Sequence, residues 1–355
     1  MKNFFSSKLG IIVVGILIGT IAALLQKLGN PANMGLCIAC FERDIAGALG
    51  LHSAQVVQYV RPEIIGIVLG SFLISSFSKE FQTRGGSSTI IRFMLGFFAM
   101  IGALVFLGCP WRAFLRLAGG DLNAVLGIAG LAAGIYIGTI FIKRGYSLGR
   151  SYPSENKLSG LITPSIMFFI LILFIINFPK FQLSMKGPGS MSAPLIISLA
   201  AGLLIGGLAQ RSRFCTMGSL RDIFIIGDFH LFYGVIAFTV SAFLMNLIFK
   251  QFHLGFVNQP VAHNLHLWNF LGMTLAGLAF SLAGGCPGRQ LILSGEGDTD
   301  AAIFVFGMIS GAAFAHNFAT ASSPKGLGNY GIIATIIGII FCLIVGVRMT
   351  TKRRS

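Results

Sequence analysis

Uninterrupted apolar runs constrain this chain more than any other feature. Residues 162–178 and 330–347 contain no Asp, Glu, Lys or Arg, and each run is long enough to cross a bilayer as a helix. Lipid offers the backbone no hydrogen-bond partner, so a spanning segment must be a helix or part of a closed barrel. Barrel strands alternate in polarity, and these runs do not. The sequence therefore predicts an all-α integral membrane protein.

Composition and charge support the same class. Of the 355 residues, 55% are hydrophobic and only 10% are charged, whereas soluble domains carry about 25% charged residues. The net charge of +15 comes from basic residues between apolar runs, where they set orientation and face anionic lipid rather than nucleic acid. The sequence has no Gly-x4-Gly-Lys-Ser/Thr phosphate loop, so we do not expect this chain to hydrolyse ATP.

Nine to ten segments are predicted to span the membrane. They are residues 9–27, 62–78, 90–108, 122–142, 160–178, 193–210, 231–250, 267–284, 300–320 and 330–348. Four shorter apolar segments lie between them, at residues 37–51, 110–118, 215–227 and 287–294. Segments of this length are too short to cross, so we expect re-entrant half-helices or interfacial pieces.

The distribution of basic residues predicts the orientation. When loops are assigned alternately to the two sides, the side of the termini carries fifteen Lys and Arg, and the opposite side carries six. Cytoplasmic loops are enriched in these residues. We therefore expect a multi-pass protein of the cell inner (plasma) membrane with both termini in the cytoplasm.

An internal repeat is the most informative pattern in the chain. Cys37-Ile-Ala-Cys-Phe-Glu-Arg-Asp matches Cys215-Thr-Met-Gly-Ser-Leu-Arg-Asp at an offset of 178 residues. Gly-Cys109-Pro-Trp-Arg matches Gly-Cys286-Pro-Gly-Arg at an offset of 177 residues. So many uncommon residues at one spacing indicate two homologous halves.

The repeat divides the chain into four parts. Residues 1–142 form the first repeat, 143–192 a linker with one span, 193–320 the second repeat, and 321–355 a terminal helix with a basic tail. The single linker span predicts that the second repeat is inverted, an arrangement typical of secondary transporters. We expect the short segments to converge from both sides, the first two from the periplasmic face and the other two from the cytoplasmic face.

The two Gly-Cys-Pro motifs predict helices that begin beside a cysteine. Proline is favoured in the first helical turn, which makes Cys109 and Cys286 the N-cap residues. The positive end of a helix dipole attracts anions. Arg112 and Arg289 follow three residues later, on nearly the same face. This combination suits the binding of a soft anion; a small buried cysteine beside a kink is the alternative interpretation.

Cys37 and Cys215 begin the other two short segments, and we predict that they also contact the solute. An adjacent Arg and Asp follow each of them, as Arg43 with Asp44 and as Arg221 with Asp222. Charges at membrane depth are costly, so we interpret these residues as ion pairs that fix the short segments and support the site.

Cys40 distinguishes the first half from the second. With Cys37 it forms a Cys-x-x-Cys pair, which can be redox-active, but its repeat equivalent is Gly218. It is therefore either a redox partner or an additional thiol at the periplasmic entrance. The three histidines at 253, 263 and 266 lack a cysteine or carboxylate at ligand spacing, and we expect neither a metal nor another cofactor.

Two stretches of the second half resemble the hallmark loops of the YeeE/YedE family of sulfur-compound transporters. They are Arg213-Phe-Cys-Thr-Met-Gly-Ser-Leu-Arg-Asp222 and Gly284-Gly-Cys-Pro-Gly-x5-Ser-Gly-Glu296-Gly. The first half is similar to the YedE branch, which is associated with selenium metabolism. The similar runs there are Asn33-Met-Gly-x-Cys-Ile-Ala-Cys-Phe-x-Arg-Asp44 and Gly108-Cys-Pro-Trp-Arg-x3-Arg-Leu-Ala-Gly-Gly-Asp121.

The resemblance implies uptake of a small sulfur oxyanion such as thiosulfate, or of a selenium counterpart. It also implies transient contacts between the solute and Cys37, Cys109, Cys215 and Cys286. We therefore predict a transporter rather than an enzyme. Two alternatives are a membrane thiol–disulfide oxidoreductase that uses Cys37 and Cys40, and a membrane subunit that docks a soluble sulfur or selenium carrier enzyme. A small cytoplasmic sulfurtransferase-like (TusA-like) protein would be such a partner.

Overall fold

The computed structural model describes residues 2–350, in which almost all regular structure is helical. The predicted basic tail at residues 351–355 lies outside the described residues. The helices are α1 (Lys2–Phe5), α2 (Lys8–Lys27), α3 (Ile38–Ala48), α4 (Pro62–Phe77), α5 (Thr89–Phe106), α6 (Pro110–Ala118), α7 (Asn123–Lys143), α8 (Lys157–Ile175), α9 (Leu195–Ser212), α10 (Thr216–Ile226), α11 (His230–Ile248), α12 (His266–Ala283), α13 (Pro287–Gly295), α14 (Thr299–Asn317) and α15 (Gly331–Arg348). Two short strands, β1 (Arg84–Gly85) and β2 (Tyr152–Pro153), pair antiparallel.

Nine of the ten segments predicted as spans coincide with helical stretches that, between residues 2 and 350, are long and apolar enough to cross a membrane. The tenth coincides with the apolar helix α4, which has only 16 residues. The four segments predicted as half-helices are the short helices α3, α6, α10 and α13. Three of them closely follow a long helix, α6 after α5, α10 after α9 and α13 after α12. The chain is an all-α integral membrane protein.

The chain re-enters the protein between α2 and α4. Gly35 lies against the backbone of α2, where an added Cβ would be 1.8 Å from the Ala22 carbonyl oxygen. α4 begins at the level where α2 ends, since Asn30 Nδ2 donates to Glu63 Oε1 at 2.8 Å. The two long helices therefore run in opposite directions, and α3 is a re-entrant helix between them.

Long helices of one half pack against long helices of the other half. Four such pairs are α2 with α11, α4 with α9, α5 with α14 and α7 with α12, and α5 also packs against α12. The partners within the four pairs run parallel: Gly15 and Gly19 of α2 face the carbonyl oxygens of Gly234 and Phe238, in the same order along α11. Small residues permit this close approach of the helices.

The same pairs demonstrate the inverted repeat. In the repeat, α2, α4, α5 and α7 are equivalent to α9, α11, α12 and α14. When each helix is exchanged for its equivalent, the α2–α11 pair becomes α9–α4, and the α5–α14 pair becomes α12–α7. α9 runs parallel to α4, because Gly202 and Gly206 face the carbonyl oxygens of Glu63 and Ile67. The equivalent helices α2 and α9 therefore run in opposite directions, as predicted.

We expect Gly206→Ala to destabilise the protein by about 1–3 kcal/mol, the usual cost of overpacking. A Cβ at Gly206 would lie 2.2 Å from the Ile67 carbonyl oxygen, which cannot move unless α9 separates from α4. Gly207→Ala is the matched control, since its Cβ would lie 3.0 Å from Cγ1 of Ile74, a side chain that can rotate. Both changes improve helix propensity by about 1 kcal/mol. Thermal unfolding in detergent measures the difference, and equal melting temperatures would contradict the packing argument.

Candidate functional site

Cys37 and Cys109 form a buried thiol pair where α3 and α6 begin. Each is the N-cap residue of its short helix, and Pro110 opens α6 as the motif predicts. The two Sγ atoms are 3.9 Å apart, and the side chains are 0% and 1% exposed. The backbone N–H of Cys40 donates to Cys37 Sγ at 3.4 Å. Both helices therefore direct the positive ends of their dipoles toward this pair.

Cys215 and Cys286 form the equivalent pair in the second half. They are the N-cap residues of α10 and α13, and Pro287 opens α13. Their Sγ atoms are 3.6 Å apart, and both residues are buried. The backbone N–H of Gly218 donates to Cys215 Sγ at 3.2 Å. The four cysteines predicted from the repeat thus form two matched pairs.

The two thiol pairs are reached from opposite ends of the bundle. α3 and α6 enter from the end where α2 stops, since Arg112 Nε of α6 donates to the Asn33 carbonyl at 3.0 Å. α10 and α13 enter from the end where α4 and α9 stop, since Arg211 at the end of α9 pairs with Glu80 at 2.9 Å. The tips meet, because α6 packs against α10 and α13 packs against α3.

Arg112 lies beside the first thiol pair and is held by backbone carbonyls. Besides the bond to Asn33, its Nη2 donates to the Val261 carbonyl at 3.2 Å, and its Nη1 donates to the Leu107 carbonyl. Nη1 is also 3.7 Å from Cys40 Sγ, which places Cys40 next to the pair. Among residues 2–350, no carboxylate lies within ion-pair distance of this buried guanidinium. We call Arg112 and the covering loop, residues 249–265, the first-half mouth.

Arg289 occupies the equivalent position in the second half but binds a carboxylate. Its Nη1 is 3.3 Å from Glu296 Oε1, and Arg213 Nη1 is 3.3 Å from Glu296 Oε2. Arg84 Nη2 is 3.7 Å from the same carboxylate and also pairs with Asp298. The Arg213 side chain is 53% exposed, so the cluster reaches the surface. These five residues form the second-half mouth, in which arginines outnumber carboxylates.

A loop of each half covers the mouth of the other half. Residues 79–88, between α4 and α5, lie over the end of α13, where Arg84 N donates to the Gly297 carbonyl at 3.3 Å. Residues 249–265, between α11 and α12, lie over the end of α6, where Gly255 N donates to the Gly120 carbonyl at 3.0 Å. The two loops occupy equivalent places in the repeat, so each mouth is built from both halves.

Asp44 is a buried carboxylate between two arginines. Its Oδ1 is 2.6 Å from Arg43 Nη2 and its Oδ2 is 2.7 Å from Arg61 Nη2, with all three side chains at most 2% exposed. Arg61 also donates to the carbonyls of Met191 and Pro188 at 2.9 Å. The triad therefore ties α3 to the start of α4 and to the linker. This geometry agrees with the interpretation of Arg43 and Asp44 as a structural ion pair.

The equivalent ion pair of the second half is more exposed to solvent than the Arg43–Asp44 pair. Arg221 Nη2 is 2.8 Å from Asp222 Oδ1, but the two side chains are 33% and 22% exposed. Arg61 lies between apolar runs, where a basic residue is expected to set orientation, so the sequence alone does not indicate its buried contact with Asp44. Glu296 belongs to the quoted motif, yet its binding to Arg213 and Arg289 could not be inferred from spacing alone.

The fold and the site define a membrane protein with an inverted repeat and a thiol pair at the tips of the short helices in each half. Residues 211–349 match the profile of the family described as "Sulphur transport". The thiosulfate transporter TsuA of Escherichia coli (strain K12) is 31% identical over 108 residues, 30% of each chain. The thiosulfate transporter TsuA of Spirochaeta thermophila is 32% identical over 103 residues, 29% of this chain and 31% of that relative.

The chain thus spans less than one third of the length of these curated relatives. Most of the matched profile lies in the second repeat, and it includes Cys215, Cys286 and Glu296. Residues 211–349 are therefore similar to the sulphur-transport family, in agreement with the motifs of the second half.

Proposed function

We propose that the protein transports a small anion of sulfur or selenium across the membrane, past its four paired cysteines. The observation that carries the proposal is the pair of buried thiols in each half, with Sγ–Sγ distances of 3.9 and 3.6 Å. Each pair receives the positive ends of two helix dipoles, which favours a negative charge there. Sulfur side chains supply soft contacts that suit a sulfur or selenium solute.

The charges at the two mouths suit entry at one end and release at the other. Arg112 has no carboxylate partner among the described residues, so no ion pair neutralises its positive charge, and its hydrogen bonds go to neutral backbone carbonyls. Arg289 and Arg213 already share Glu296, which competes with the solute for the same donors. Transport requires binding strong enough for entry and weak enough for release. We therefore propose that solute enters at the first-half mouth and leaves at the second-half mouth.

Uptake into the cell follows if the first-half mouth faces the periplasm. We propose location in the inner membrane with both termini cytoplasmic, on the basis of the excess of Lys and Arg on the terminal side. We propose the repeat limits 1–142 and 193–320, with the linker at 143–192 and the terminal part at 321–355. Thiosulfate is the first substrate to test, because the curated relatives are named as thiosulfate transporters, and selenite is the second, because the first half resembles the selenium-associated branch.

Of the two alternatives, only the oxidoreductase requires access that the site does not provide. A thiol–disulfide oxidoreductase must present a cysteine to a partner protein, yet Cys37 and Cys40 are both 0% exposed. A docking subunit would bind a soluble TusA-like carrier at the second-half mouth, where Arg213 is exposed. Such a carrier is compatible with transport, since it could receive the solute as it leaves.

Counterflow in proteoliposomes tests the proposal. Purified protein in vesicles preloaded with unlabelled thiosulfate should accumulate radiolabelled thiosulfate from outside, and selenite and sulfite should compete according to their affinities. Protein-free vesicles and vesicles with heat-denatured protein are the controls. An absence of flux for thiosulfate, selenite and sulfite alike would refute transport and favour a docking role.

A further inference from the structure

Trp111 reaches from the first thiol pair to residues that flank both cysteines of the second half. It lies two residues after Cys109, at the start of α6. Its ring is 5.4 Å from that of Phe214, the residue before Cys215, in an edge-to-face contact. A Cβ on Gly288, two residues after Cys286, would lie only 2.8 Å from Trp111 Cζ2. One indole therefore lies within two residues of three of the four cysteines.

The Trp111 side chain is 0% exposed, and its indole N–H has no hydrogen-bond partner within the described part of the chain. Buried tryptophan N–H groups usually find an acceptor, because an unsatisfied donor costs free energy. An unmatched buried polar group in a native structure requires an explanation, and a functional role is one of the recognised explanations. This donor lies in the region where the two thiol pairs approach each other.

The two halves differ at this position. Trp111 and Gly288 are repeat equivalents, because each follows a Cys-Pro dipeptide and precedes an arginine. The missing side chain of Gly288 makes room for the indole, whose Nε1 would be 3.3 Å from a Cβ there. A second large side chain at 288 would exclude the ring. The asymmetry therefore places a single indole donor between the two thiol pairs.

We propose that the indole N–H of Trp111 is a binding group for an oxygen of the transported oxyanion, at a site between the two thiol pairs. The inference rests on the proposed function. An oxyanion of sulfur or selenium presents acceptor oxygens to Trp111 while its sulfur or selenium atom contacts the thiols. Hydrogen bonds to charged acceptors are stronger than those between neutral groups.

Trp111→Phe keeps an aromatic ring and removes only the donor and the second ring. We expect it to raise the half-saturation concentration for thiosulfate or selenite by about 10- to 100-fold, the effect of losing one hydrogen bond to a charge. The melting temperature of the solute-free protein should fall only by the amount that the lost apolar packing of the smaller ring accounts for. No protein hydrogen bond is lost, since Nε1 has no partner among the described residues. Trp268→Phe, which changes the other tryptophan of the chain, is the matched control and should transport normally.

Fluorescence provides a test that does not depend on transport. In the Trp268→Phe protein, Trp111 is the single tryptophan, and its emission should change saturably on titration with thiosulfate or selenite. The emission of the Trp111→Phe protein should not change. An unchanged half-saturation in Trp111→Phe, or constant Trp111 emission at concentrations that saturate transport, would overturn the inference.

The two proposals fail in different ways. If the wild-type protein carries no solute but Trp111 emission still responds to the anion, transport fails and the binding group remains. If transport is normal and the emission of Trp111 is constant up to millimolar anion, only the role of Trp111 fails. If neither flux nor an emission change occurs, both proposals are overturned.

Discussion

Cells that produce Cys109→Ala or Cys286→Ala at normal protein levels are expected to lose uptake of the solute almost completely, to about a hundredth of wild type or less. Each substitution removes one thiol from a pair with an Sγ–Sγ distance of 3.9 or 3.6 Å. In a narrow path with several weak binding sites, the slowest transfer between sites limits the transport rate. The loss of one site therefore blocks the whole path. Uptake of radiolabelled thiosulfate and selenite, normalised to membrane-inserted protein, measures the effect.

Cys342→Ala is the matched control for these substitutions. Cys342 is equally buried but lies in α15, where no second thiol is paired with it. We expect near-normal uptake. Cys40→Ser separates transport from thiol–disulfide exchange, since an oxidoreductase that uses Cys37 and Cys40 would lose all activity. Undiminished uptake in both Cys109→Ala and Cys286→Ala would refute the cysteine-lined path.

Asp44→Asn is expected to destabilise the protein by about 3–5 kcal/mol, the typical effect of breaking a buried ion pair. The change leaves Arg43 and Arg61 at most 2% exposed and without the carboxylate that lies 2.6 and 2.7 Å from them. Two buried guanidiniums next to each other then repel, and α3 loses its link to α4 and the linker. Thermal and denaturant unfolding in detergent, with the yield of monodisperse protein, measures the loss.

Asp222→Asn is the control for Asp44→Asn, because the repeat places it at the equivalent position. Its partner Arg221 is 33% exposed and Asp222 is 22% exposed, so water replaces the lost carboxylate. Exposed ion pairs contribute at most about 1 kcal/mol, and we expect a loss no larger than this. If the two substitutions lower the free energy of unfolding equally, burial does not explain the contribution of the Asp44 triad to stability.

The lengths of the apolar segments were sufficient to predict the helices. A spanning helix must satisfy all its backbone groups within about 20 apolar residues, so its limits follow from composition, as for α2 (Lys8–Lys27) and α15 (Gly331–Arg348). The short helices followed from the same rule, because α6 and α13 have only nine residues each. Proline after Cys109 and Cys286 marked where they begin.

The repeat and the odd number of linker spans also determined that the second half is inverted. The partner of each helix in the bundle was not predictable from the same pattern. The parallel pairs α2–α11 and α4–α9 depend on which glycines face which backbone, as Gly19 faces Phe238 and Gly206 faces Ile67. Every long helix is apolar over most of its surface, so periodicity alone does not identify the face that packs.

The sequence by itself determined the membrane class, the inverted repeat and the four cysteines, because apolar length, helix caps and repeated spacing are local properties of the chain. Only the tertiary structure decided what the equivalent residues do. Arg112 is held by carbonyls whereas Arg289 shares a carboxylate, and Trp111 keeps its donor unpaired because Gly288 leaves room for the ring. Two of these differences involve groups more than 100 residues apart, Arg112 with Val261 and Trp111 with Gly288, which meet only after folding. Distance and burial in the folded protein then fix their interaction energies.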